Sequence, residues 1–248
     1  MNLKTWIAGL ALATFAHTTL AAGLPNPLRI ATEGAYPPFN GVSASGELIG
    51  FDVDIANALC AEMKANCEIV AQDWDGIIPA LVANKYDAII ASMSITDERK
   101  QTIDFTNKYY SNYLAVIAPR DGAKGPNDLA GKTVGAQRAT LAAQWAEDNL
   151  MGKATVKLYD TQTAAYADLE AGRVNAMVSD IYPAMDWLGT VQGFVLAGDK
   201  IDINDEIGIG IRQGEADLKA AFNAAIDAIR ANGTYAKINA KYFSADIY

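Results

Sequence analysis

The chain has 248 residues, 51% of them apolar and 20% charged, with a net charge of −9. That length permits one large domain or two of roughly 100 residues. Its acidity argues against nucleic acid or an anionic lipid surface as partner, because both would be repelled.

Met1 to about Ala22 carries Lys4 near its start, an apolar stretch from Trp6 to Phe15, and the small residues Ala21 and Ala22. This is the pattern of a cleaved export leader, its apolar core being too short for a membrane span. No cysteine stands at the cut after Ala21 or Ala22, so no lipid anchor is expected. Cleavage leaves about 226 residues with 19 basic and 29 acidic side chains, a net charge of −10. The sole histidine, His17, leaves with the leader. Ser-His-Asp and Cys-His catalysis, and every zinc site that needs histidine, are thereby excluded. An enzyme would have to work through Glu, Asp, Lys or Tyr.

The mature chain alternates short apolar runs with amphipathic segments, the pattern of an α/β fold. The first strand, Leu28–Thr32, leads into TEGAYPPF, a loop stiffened by Pro37 and Pro38 that presents Glu33 and Tyr36. Phe51, Ile55, Leu59 and Met63 recur every four residues and predict a helix over Asp52–Lys64. Cys60 sits in its last turns and Cys67 just before a strand at Glu68–Ala71, with a turn at Ala65-Asn66 between. The spacing is not that of a redox C-x-x-C motif, and in an exported chain a structural disulfide is expected. Trp74 then stands between two acids ahead of a helix at Gly76–Ala83.

The segment Ala88–Phe105, AIIASMSITDERKQTIDF, carries the most information. Ala88–Ala91 reads as a buried strand, after which Ser92, Ser94 and Thr96 recur with period two and should share one side. Thr96 is a candidate N-cap for a helix over Asp97–Ile103. Arg99 then falls in the first helical turn, where the helix dipole disfavours a cation, and is better explained if it meets an anion.

Further strands are predicted at Leu114–Ala118, Thr133–Ala136, Val174–Val178 and Gly208–Ile211, and further helices at Leu141–Asn149, Thr163–Ala171 and Ala216–Ala231. VGAQRAT places Gln137, Arg138 and Thr140 at a second free helix start. ALVANKYDAIIAS (Ala80–Ser92) and DLEAGRVNAMVSD (Asp168–Asp180) align without gaps. If the echo is structural, two similar lobes each present a polar group, Ser92 and Asp180, at a strand end, where open α/β sheets bind ligands.

Sorted by charge, these residues make a trap for a zwitterion. Arg99 and the helix start at Thr140 suit a carboxylate, and Asp180 suits an ammonium. Tyr36 and Trp74 suit an aliphatic chain between two rings or a cation on their faces, with Glu33 at the far end.

The motifs GFDVDIANALC, DGIIPAL, KYDAIIASMSITDERKQTIDFT, AGRVNAMVSD and NGTYAKINAKYF, with the paired Cys60 and Cys67, cover essentially the whole mature chain. By them the chain resembles the periplasmic amino-acid-binding proteins of ABC importers, solute-binding family 3, and within it the lysine/arginine/ornithine- and histidine-binding branch. The resemblance implies a bilobal periplasmic-binding-protein fold of type II, with residues 24–111 and 205–248 in one lobe and 112–204 in the other. Two crossing segments would form the hinge, and the lobes would close on a small-molecule amino acid. It further implies that Arg99, helped by Ser94 and Thr140, clamps the α-carboxylate. Asp180 and the Ser92 carbonyl would hold the α-ammonium, Tyr36 and Trp74 flank the side chain, Glu33 take its distal group, and Met93, Gln137 and Arg138 complete the site. No cofactor or metal is expected. The partner would be an inner-membrane permease, with a chemoreceptor as a second reader, and the protein a periplasmic monomer.

Three positions depart from the branch's pattern. Glu33 stands where Asp is common, Ala91 replaces a serine, and Arg138 replaces the glycine of Q-G-S-T. Arg138 puts a cation where pairing with Glu33 would cancel the charge that selects a cationic ligand, and would favour a neutral or acidic ligand or an opine. The leading expectation is a non-catalytic receptor preferring arginine over ornithine or lysine. The alternatives are an enzyme like the cyclohexadienyl dehydratases of the same fold, an opine-binding receptor, and a receptor's sensing domain, the last disfavoured because no membrane segment follows.

Overall fold

The computed structural model describes residues 23–248, so the expected leader, residues 1–22, lies outside the described residues. Strand β1 (Leu28–Thr32) is the apolar run that the sequence predicts. A small antiparallel sheet of β2 (Ala35–Tyr36), β3 (Asn40–Val42) and β4 (Leu48–Ile49) follows it. Helix α1 (Phe51–Met63) buries Phe51, Ile55 and Leu59 along one stripe. It ends at Lys64, whose φ of 55° turns the chain toward β5 (Cys67–Ala71). The Cys60–Cys67 disulfide ties the end of this helix to the strand beside β1. Helix α2 (Trp74–Val82) and strand β6 (Ala88–Ile89) complete the first parallel unit, β5-β1-β6.

After the short helix α3 (Asp97–Lys100) comes β7 (Ile103–Pro119), a strand of 17 residues. The second half repeats the parallel grammar: β8 (Thr133–Gln137), α4 (Leu141–Leu150), β9 (Thr155–Tyr159), α5 (Gln162–Glu170), β10 (Ala176–Asp180) and α6 (Ile181–Leu188). The short β11 (Phe194–Leu196) pairs with β7, and β12 (Ile201–Arg212) returns the chain. Helices α7 (Ala216–Ala231) and α8 (Thr234–Tyr242) then pack on α1.

The sheet order β5-β1-β6-β12-β7-β10-β8-β9 explains the architecture. The C-terminal end of β12 pairs with β6, whereas the C-terminal end of β7 pairs with β10. The two long antiparallel strands therefore run from one parallel unit to the other. Phe39, Phe51, Tyr110, Phe222 and Ile226 belong to one core, and Leu114, Val134, Ala146 and Val178 to a separate one. The result is a bilobal α/β fold with β7 and β12 as its two crossings. Their register breaks between Ile201 and Asp205, and Asn204 there has φ 52°.

Three expectations are corrected. Strand β6 stops at Ile89, and Ser92 leaves extended geometry with φ 53°, so Ser92, Ser94 and Thr96 do not share a strand face. The Ser92 N–H donates to Tyr109 Oη at 3.0 Å and its Oγ donates to Asp52 at 2.9 Å, bonds that replace the ladder there. Helix α3 ends at Lys100 rather than Ile103, because fully buried Ile103 already pairs with Arg212 in β7. The strands expected at Leu114–Ala118 and Gly208–Ile211 are only the ends of β7 and β12. The polar residues Asn107, Lys108, Ser111, Asn112, Asp202, Asp205 and Glu206 interrupt the apolar pattern elsewhere in them.

The internal echo is structural. In both copies a helix end with a buried leucine, Leu81 or Leu169, leads to a strand opening on alanine, Ala88 or Ala176. The equivalent positions Ser92 and Asp180 line one cavity between the lobes.

Candidate functional site

The free space left in that cavity is about 20 Å³, room for little more than a water molecule, because side chains of the two lobes meet across it. Glu33 reaches it from the turn after β1, Tyr36 from the end of β2, Trp74 from the first residue of α2, and Ser92, Ser94 and Arg99 from the segment after β6. The other lobe supplies Gln137 and Thr140, between β8 and α4, and Asp180 at the end of β10. The sequence-derived residues thus converge, with two exceptions. The Met93 side chain is wholly buried in the core with Ile103 and Phe105. Arg138 stands outside the cavity wall.

Arg99 is placed by the cap at Thr96, whose Oγ1 accepts from the Arg99 N–H at 3.1 Å. Its guanidinium donates Nη1 to the Ser94 carbonyl and Nη2 to the Ala139 carbonyl, each at 2.9 Å, and lies 5.4 Å from the Trp74 ring. Among the described residues no carboxylate forms an ion pair with it. Two of five N–H donors are thereby used, leaving a positioned cation with capacity for an anion. Burial lowers its pKa without discharging it.

Two carboxyl groups complement it. Tyr36 Oη donates to Asp180 at 2.5 Å across the cleft, and Gln137 Nε2 donates to Glu33 at 2.7 Å across it. Burial pushes Asp180 up to about 7, with Asp205 adding to the effect and the Tyr36 hydroxyl opposing it. Burial likewise pushes Glu33 up to about 7 against the Gln137 hydrogen bond. Both are dehydrated carboxyls poised to gain from a cation.

Arg138 does not make the pairing with Glu33 that would cancel the charge selecting a cation. Its guanidinium binds Asp160 at 2.9 Å and Asp75 at 3.6 Å, which leaves Glu33 to Gln137. The Thr140 hydroxyl is spent locally, accepting from the Ala143 N–H and donating to the Gln137 carbonyl. The hydroxyls of Ser92 and Ser94 are spent on Asp52 and Asp205. These three residues can therefore offer a ligand backbone groups more readily than side chains.

Sequence reasoning missed four contributors. Ala139, at φ 56°, turns its carbonyl to both Arg99 and Trp74 Nε1. Its signal was its place between Arg138 and Thr140. Leu141 lines the cavity but carries no polar mark. Fully buried Asp52, inside the GFDVDIANALC motif, accepts from Asn40, Ser92 and Tyr109 and so fixes the Ser92 turn. Asp205 accepts from Asn112 and Ser94 where the two crossings meet. Among the described residues no helix is long and apolar enough to cross a membrane.

The chain matches the family described as bacterial extracellular solute-binding proteins, family 3, over residues 28–245. It is 45% identical to the L-arginine-binding protein of Pseudomonas aeruginosa, over 100% of this chain and 99% of that one. It is 39% identical to the lysine/arginine/ornithine-binding periplasmic protein of Escherichia coli, over 92% and 91% of the two chains. Among solved structures, an ancestral arginine-binding protein bound to arginine superposes with a TM-score of 0.85 at 34% identity, covering 89% of this chain and all of that one. These relatives are named as binding proteins, not enzymes. The chain belongs to the bacterial extracellular solute-binding proteins of family 3.

Proposed function

We propose that this protein captures L-arginine between its lobes and delivers it to an inner-membrane ABC permease. One observation carries the reading: a single small cavity holds Arg99, an arginine without an acid partner among the described residues, and two dehydrated carboxyls, Asp180 and Glu33. That charge set matches the α-carboxylate, α-ammonium and distal cation of a basic amino acid. In this reading Arg99 and the backbone N–H groups at the start of α4 hold the carboxylate, Asp180 and the Ser92 carbonyl hold the ammonium, and Tyr36 and Trp74 flank the chain. Residues 1–22 direct export to the periplasm, where the protein acts as a monomer that a chemoreceptor can also read. The lobes comprise residues 24–111 with 205–248, and residues 112–204; the Asn112–Asp205 pairing in the crossing strands supports that division.

Glu33 is the selectivity element. A guanidinium offers a planar fork to its two oxygens, an ammonium only a point charge, and a neutral amide no charge at all. Glu33→Gln is expected to narrow the ratio of arginine to glutamine affinity by at least about tenfold, the low end for a desolvated charge pair. Calorimetry with both amino acids reads the ratio, and an unchanged ratio would remove Glu33 from this role.

Affinity should also rise with pH. A bound cation favours the ionised form of Asp180 and Glu33, so their pKa falls below the present value of about 7 on binding. Below that value each group must lose a proton to bind; above it the cost vanishes. Arginine binding is expected to weaken by at least about tenfold from pH 8 to pH 6, since a group of pKa 7 is then about one-tenth ionised. Proton release, read from calorimetric enthalpies in buffers of different ionisation heat, should accompany it. A flat profile would contradict this electrostatic account.

A further inference from the structure

Beyond Glu33 and Trp74, which it shares with the ligand cavity, a second hollow of about 450 Å³ opens to solvent. Asp73, Asp75 and Asp160 line it together with Glu33, and among the described residues the one cation on its wall is Arg138. The Arg138 guanidinium is pinned to Asp160 of its own lobe at 2.9 Å and to Asp75 of the facing lobe at 3.6 Å, while its backbone N–H donates to the Tyr159 carbonyl at 2.9 Å. Only 44% of its side chain is exposed. A cationic chain that enters from Arg99 and passes Trp74 and Glu33 would, if longer, continue into this hollow.

We propose that Arg138 is a specificity-determining residue that closes the distal end of the site and sets the longest cationic side chain admitted. It does so by standing in the acidic hollow with a guanidinium of its own, satisfying the carboxylates that would otherwise attract a longer ligand. The ion pair with Asp75 joins the two lobes, so the barrier is complete when they are shut. This rests on the arginine-binding reading above. It explains a feature that reading leaves idle, a bulky cation placed beside a site for cations.

The test compares L-arginine with L-homoarginine and ω-N-methyl-L-arginine on the mature wild-type protein, Arg138→Ala and Arg138→Lys by calorimetry. The side chain is half-exposed, so truncation should leave the fold unchanged. Arg138→Ala is expected to shift the affinity ratio toward the longer ligands by about tenfold or more, the effect of opening a pocket by a methylene or more. Arg138→Lys keeps a cation against Asp75 and Asp160 and should stay within about threefold of the wild-type ratio. An unchanged ratio in Arg138→Ala, or equal weakening of all three ligands, would overturn the proposal while leaving the arginine reading intact, because the wild type would still bind arginine. A wild-type protein that binds none of the three would overturn both.

Discussion

Arg99→Ala is expected to leave the fold intact and to weaken arginine binding by at least about 30-fold. The expectation follows from what the guanidinium touches. Its two hydrogen bonds go to the Ser94 and Ala139 carbonyls, and its face rests near Trp74. Two carbonyls can turn to water at small cost, whereas a ligand carboxylate drawn into a shut cavity with no cation opposite it cannot. Truncating one partner of such a desolvated pair costs roughly 2–5 kcal/mol, or about 30-fold to several thousand-fold in Kd. Arg99→Lys should fall between, because it keeps the charge but loses the fork that also holds the two carbonyls. Calorimetry on folded mutant protein decides it, and an Arg99→Ala affinity within threefold of wild type would refute the carboxylate clamp.

Asp180→Asn is expected to produce a different double signature: binding weakened by about 30-fold or more, with no loss of stability. The ligand ammonium loses its counter-charge, while Tyr36 Oη can still donate to the amide oxygen at the same position. For stability the sign is set by burial. The Asp180 pKa in the folded protein, about 7, lies above its unfolded value, so this group costs stability progressively as pH rises from the unfolded pKa to the folded one, and the full cost is present above about 7. A neutral amide removes that cost. At pH 8, without ligand, the variant's melting temperature should match or exceed that of the wild type, as expected where a functional charge is held against stability. A lower melting temperature with preserved binding would reverse both assignments.

What the sequence conveyed, and what it did not, divides along physical lines. Strand β1 and helix α7 were legible to the residue, because α7 carries an unbroken apolar stripe and β1 is mostly apolar, with Arg29 its one charged residue. The cap at Thr96 was legible because N-cap chemistry is local, and the helix start at Thr140 was legible for the same reason. The crossings β7 and β12 were legible only at their apolar ends. Where they pass between lobes, Asn112 and Asp205 are buried by tertiary contacts that no local pattern reports. The path of Ser92 was misread for the same reason: its partner, Asp52, lies forty residues away. At the site, residue type announced Arg99, Asp180 and Glu33, since a charge beside a strand end asks for an explanation. It could not announce Ala139, which contributes a carbonyl, nor say that Arg138 would find Asp75 and Asp160 before Glu33.

In the proposed function, Arg99, Asp180 and Glu33 together select a basic amino acid. One calorimetric series on the mature protein at pH 8 tests it most directly, with L-arginine, L-ornithine, L-lysine and L-glutamine as ligands. Arginine should bind most tightly, ornithine or lysine next, and glutamine more weakly than arginine by at least about tenfold, since it lacks the distal charge that Glu33 would meet. Glutamine binding as tightly as arginine, or no measurable binding of any basic amino acid, would contradict it.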